Sequence, residues 1–131
     1  MALRSIFEDA TISIYYDFGN DWLYADWGAQ QDLASVQAGA LQMLECLKQE
    51  RCHKVLNDNR KVQTIWADAA EWGGKVWFPA MAEAGLEFFA WVYSPNIYSR
   101  LSTDLTLRHT AKPIVMTFDN MDTAASWLRH M

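Results

Sequence analysis

The 131-residue chain is poor in the residues that usually announce chemistry. It holds two cysteines, Cys46 and Cys52, and three histidines, His53, His109 and His130, and neither set keeps the spacing of a metal site. There is no glycine-rich loop to cradle a phosphate and no nucleophile placed near a base. Cationic charge is scarce too. Eleven Lys and Arg stand against 16 Asp and Glu, for a net charge of −5, which excludes the basic surface that nucleic acid would need. No window approaches the roughly 18 apolar residues of a membrane-crossing helix. The opening Met1-Ala2-Leu3-Arg4-Ser5-Ile6-Phe7-Glu8-Asp9 lacks the apolar run of a secretory signal, so a cytoplasmic protein is expected. Cys46 and Cys52 fall on one predicted helix, about 9 Å apart by rise and on different faces, which predicts two reduced thiols.

What the chain does have is a core. With 51% hydrophobic and 21% charged residues it suits one globular domain, residues 1–131, burying about two-thirds of its unfolded surface. Thr11 to Tyr16 alternates as a strand, Asp17 to Asp21 is turn chemistry, and Trp22 to Trp27 resumes, predicting an antiparallel hairpin. Leu33, Val36, Ala40, Met43, Leu44 and Leu47 make the stripe of an amphipathic helix capped by Asp32 and running to about Arg51. Lys54 to Asp58 reads as a short strand. Trp66 to Ala84 reads as a helix interrupted at Gly73-Gly74 and Pro79, with Gly85 past its end.

The unbroken run Phe88 to Tyr93 suits a central strand buried on both faces. Ile97, Leu101 and Leu105 give a third helix, Ile114 to Phe118 a last strand, and Met121 to about Arg129 a terminal helix with Ala124, Ala125 and Leu128 inward. The order predicts an α/β fold: a mixed five-stranded sheet, N-terminal hairpin first, flanked by about four helices with right-handed crossovers.

That order, the strand tip Asn57-Asp58-Asn59, the segment Ala69-Ala70-Glu71-Trp72 to Ala82-Glu83-Ala84-Gly85-Leu86 and the ending Phe118-Asp119 to Ala125-Ser126-Trp127-Leu128 resemble the SpoIIAA-like proteins of the STAS/SEC14 group. The similarity runs from about Thr11 to Leu128. It implies kinship with anti-sigma-factor antagonists and with a lipid-binding fold. In the antagonists a serine after the Asp of this tip is phosphorylated. Here Asp58 matches the Asp, but Asn59 occupies the serine position, so that loop is not expected to act as a phosphoswitch.

Two readings stay open for each candidate group. Asn57, Asp58 and Asn59 either form a polar ligand site at a strand end or bond the loop backbone around them. Trp66, Trp72, Trp77 and Phe78 either wall a pocket, with the glycine pair serving a movable lid, or are plain core. Ser99, Ser102, Thr103 and Asp104 are expected to cap their helix or face water. Neither a catalytic set nor a metal or cofactor site is expected. The expectation is therefore a non-enzymatic module that binds a small apolar molecule or lipid and touches membranes peripherally. The alternative is a protein-interaction module, and either is compatible with a homodimer.

Overall fold

The computed structural model describes residues 2–131. It is an α/β fold with one mixed sheet, and the sheet has six strands where five are expected. In spatial and sequence order these are β1 (Leu3–Glu8), β2 (Ile12–Asp17), β3 (Trp22–Trp27), β4 (Lys54–Asp58), β5 (Phe88–Val92) and β6 (Ile114–Phe118). The first three pair antiparallel and the last four parallel. The additional strand is β1, an edge strand whose register slips between Ser5 and Phe7. That bulge breaks the period-2 alternation by which a strand is recognised. β5 lies between β4 and β6, as its apolar run requires.

Because strand order rises steadily from β3 to β6, right-handed crossovers place every connecting helix on one face. α1 (Leu33–Glu50) carries a capping box between Asp32 and Ser35 and closes on Arg51, left-handed at φ 56°, whose N–H returns to the Leu47 carbonyl. Cys46 is on α1 and Cys52 lies beyond its end; both are buried and free. The core of this face gathers Ile12, Ile14 and Leu23 from the hairpin, Met43 and Leu47 from α1, and Val55 and Phe89 from the parallel strands. The other face is covered by α5 (Met121–His130), which is capped by Asn120. It seats Ala124, Ala125 and Leu128 on Trp22, Leu56, Ala90 and Val92.

The helical segment after β4 does not break at its glycines. A 3-10 turn (Ala67–Ala69) leads into α2 (Ala70–Trp72), a π-helix (Gly73–Trp77) and α3 (Phe78–Glu83). Gly73 keeps ordinary helical angles, φ −58° and ψ −46°, and the Phe78 N–H bonds the Gly73 carbonyl five residues back. The widened turn also makes room for Pro79, whose ring in a regular α-helix would meet the carbonyl four residues before it. Gly85, at φ 114°, then releases the chain.

α4 (Ile97–Arg108) lies inside out relative to its apolar pattern. Ile97, Tyr98 and Leu101 face solvent, while Ser99, Ser102, Thr103 and Thr106 are buried. Asp104 faces water as expected, but the same expectation for Ser99, Ser102 and Thr103 is wrong, and packing explains why. α4 rests on the glycine-bearing segment rather than on a sheet, and a Cβ on Gly74 would sit 2.8 Å from the Thr106 carbonyl oxygen and 2.5 Å from the His109 Cβ. Contact that close admits only small side chains. The glycine pair is thus a docking notch for α4.

Candidate functional site

Three rows of side chains cross the helix-covered face toward the carboxyl ends of the parallel strands. Register sets Val55 beside Phe89, Asn57 beside Trp91, and Ala25 beside Asn57, with Trp27 two residues beyond Ala25. Small Ala25 next to polar Asn57 leaves a gap in an otherwise bulky layer. The aromatic helical segment roofs that gap. Trp66, Trp72 and Trp77 close it from above, Trp27, Phe89 and Trp91 floor it, and Val36 and Ala40 of α1 form one side.

The resulting cavity has a volume of about 40 Å³, room for roughly three waters on a scale where one needs about 10–15 Å³. Among the described residues no ionisable side chain lines it. The rings around it are mutually packed: Trp66 stacks on Trp91 at 6.0 Å, and Phe89 meets Trp91 edge-on at 5.4 Å. Pocket wall and core are here the same aromatic layer.

Three of the cavity's five tryptophans, Trp27, Trp66 and Trp77, are held by their indole N–H as well as their rings. Trp77 Nε1 donates to the Ala40 carbonyl at 2.6 Å, tying the segment to α1. Trp66 donates its backbone N–H to Ser102 Oγ and its Nε1 to Ser99 Oγ, at 3.1 and 3.3 Å. The buried hydroxyls of α4 therefore anchor one wall. Trp27 Nε1 donates to Asn57 Oδ1 at 2.8 Å, and Asn57 Nδ2 donates to Asn59 Oδ1 at 3.1 Å. Trp72 and Trp91 are the exceptions among the described residues: Trp72 is only half-buried and makes no side-chain hydrogen bond, and the buried Trp91 indole N–H has no partner.

The seven residues singled out by sequence divide. Asn57, Asn59, Trp66, Trp72 and Trp77 line the cavity. Phe78 does not; it is fully buried beneath, edge-on to Phe89 at 4.9 Å. Asp58 does not either, because the alternation of β4 turns it to the α5 side. There its carboxylate accepts Tyr24 Oη at 2.6 Å and a bidentate pair from Arg60 at 3.0 and 2.9 Å. Burial pushes the Asp58 carboxyl up, yet the Arg60 and Tyr24 hydrogen bonds outweigh it and hold it below the usual range. Register also sets Asp26 beside Asp58, with Lys61 on Asp26 at 2.8 Å. A second carboxylate is therefore close, which spacing along the chain does not reveal, and each is bridged to its own cation.

Sequence reading missed Trp27, Gln31 and Trp91 as parts of the cavity. Trp91 stands two residues from Phe89 and so on the same face of β5, a visible cue; Trp27 arrives through strand pairing and Gln31 from the loop before α1, and neither carries one. Gln31 is fully engaged, donating to the Thr11 and Gly28 carbonyls and accepting from Ser35. Compared with known proteins, the chain matches no family model, no curated protein and no solved structure.

Proposed function

We propose that this chain is a non-enzymatic binding module of SpoIIAA-like kind, holding a small apolar molecule in its tryptophan-walled cavity. The observation that carries the reading is that aromatic recess at the carboxyl ends of parallel strands, apolar in its walls with a few neutral polar groups at one end, the make-up of small-molecule sites. Its size favours a compact ligand over a lipid chain, since an apolar cavity that accepts benzene is about 150 Å³. Entry of even one ring requires Trp72, the unbonded and half-buried wall, to swing outward. A lining free of acids and bases suits binding better than general acid-base chemistry.

Native mass spectrometry of freshly purified protein, together with tryptophan fluorescence titrated with toluene and with oleate, tests this. Saturable binding of toluene is the expected result. Trp72→Ala should weaken it more than Asp58→Ala, because Asp58 faces the other side of the sheet. Saturation by oleate alone would turn the reading to lipids, and saturation by neither would remove it. The exposed Ile97, Tyr98 and Leu101 on α4 support a second reading, a protein-interaction module resembling anti-sigma-factor antagonists.

A further inference from the structure

We propose that the polar end of the cavity selects a hydrogen-bond acceptor, so that the ligand is a small neutral carbonyl compound on an apolar body. The proposal rests on the cavity being a ligand site and adds which chemistry it takes. It follows from a chain of forced orientations. An indole nitrogen can only donate, so Trp27 Nε1 at 2.8 Å fixes the facing Asn57 atom as the carbonyl oxygen. Asn57 must then present its amide nitrogen to Asn59, 3.1 Å away, and that contact fixes the Asn59 atom as its oxygen. What Asn59 has left is an amide nitrogen with two donors. Asn59 is itself only 4% exposed and lines the cavity.

The second observation is independent of this relay. Trp91, 5% exposed and a neighbour of Asn57 across the β4–β5 ladder, buries its indole N–H with no partner. The unused hydrogen-bonding capacity of Asn59 and Trp91 is therefore of one sign. Donors without a cation match a neutral carbonyl oxygen better than a carboxylate, whose buried charge would stay unpaired. An ammonium group would meet the N–H groups of Asn59 and Trp91 and gain nothing from them.

Three probes of one shape test this: cyclopentanone, methylenecyclopentane, in which CH2 replaces the oxygen, and cyclopentylammonium. Binding is followed by amide and indole N–H NMR, with the Trp91 indole resonance assigned from Trp91→Phe. Cyclopentanone should bind about tenfold more tightly than methylenecyclopentane, the worth of one or two neutral hydrogen bonds. It should also shift the Trp91 indole and Asn59 side-chain resonances downfield. Asn59→Leu and Trp91→Phe, each verified as folded by its own spectrum, should bring the ratio of the two affinities toward one. Equal binding of both neutral probes would overturn acceptor selection and leave the cavity reading standing. Preference for cyclopentylammonium would overturn it too, and binding of none would remove both.

Discussion

Asp58 and Asn59 are consecutive and serve opposite faces of the sheet, so single substitutions separate stability from binding. Asp58→Asn leaves the Tyr24 hydroxyl and Arg60 with a poorer partner and should cost about 1–3 kcal/mol in denaturant unfolding. The carboxyl is held below its ordinary 3.8 in the folded chain. Its stabilisation is therefore present above that value and is lost as pH falls through the lower, folded one. Native protein should lose more stability on acidification below about pH 3.8 than Asp58→Asn does. Burial pushes the Cys52 thiol up to about 12. At pH 8 it should react with iodoacetamide far more slowly than in urea, and equal rates would contradict its burial. Trp72→Ala should change thermal stability little. Trp77→Ala, which also forfeits the Ala40 hydrogen bond, should cost about 3–5 kcal/mol.

At the scale of elements, the contact between the π-helix and α4 reverses two rules of thumb. Gly→Ala inside a helix ordinarily gains about 1 kcal/mol. At Gly74 the new Cβ would meet backbone, with the His109 carbonyl carbon and the Thr106 oxygen both 2.8 Å away, so Gly74→Ala should lower the melting temperature. Gly73→Ala meets only Thr106 Cγ2, at 3.2 Å, and should be milder. Likewise Ser102→Leu makes α4 more apolar but should destabilise, because it overfills the contact and removes the acceptor of the Trp66 backbone N–H. Leu101→Ser, on the exposed face, should leave thermal unfolding nearly unchanged. Circular dichroism melts of the four variants settle the order.

For the whole molecule the two faces of the sheet are unequally covered. Three connecting segments share one face, and α5 alone seals the core beneath Trp22, Leu56 and Val92 on the other. Deleting residues 121–131 should therefore abolish cooperative thermal unfolding, even though the cavity lies on the opposite face. Among the described residues no helix is long and apolar enough to cross a membrane.

Periodicity determined much of this by itself. The stripe of α1 with its Asp32 cap, the central apolar run of β5 and the inward Ala124, Ala125 and Leu128 were legible because one local pattern faces one uniform environment. So was the meeting of an aromatic segment with a strand tip. Tertiary structure decided what no local pattern encodes. Strand pairing brought Trp27 to Asn57 and Asp26 to Asp58 across long stretches of chain. The bulge concealed β1, and the alternation of β4 sent Asp58 to the far face while keeping Asn57 and Asn59 at the cavity. α4 turned its hydroxyls inward because its neighbour presents glycines and tryptophan N–H groups. A helix buries the face that fits its partner, and its own sequence does not say what the partner is.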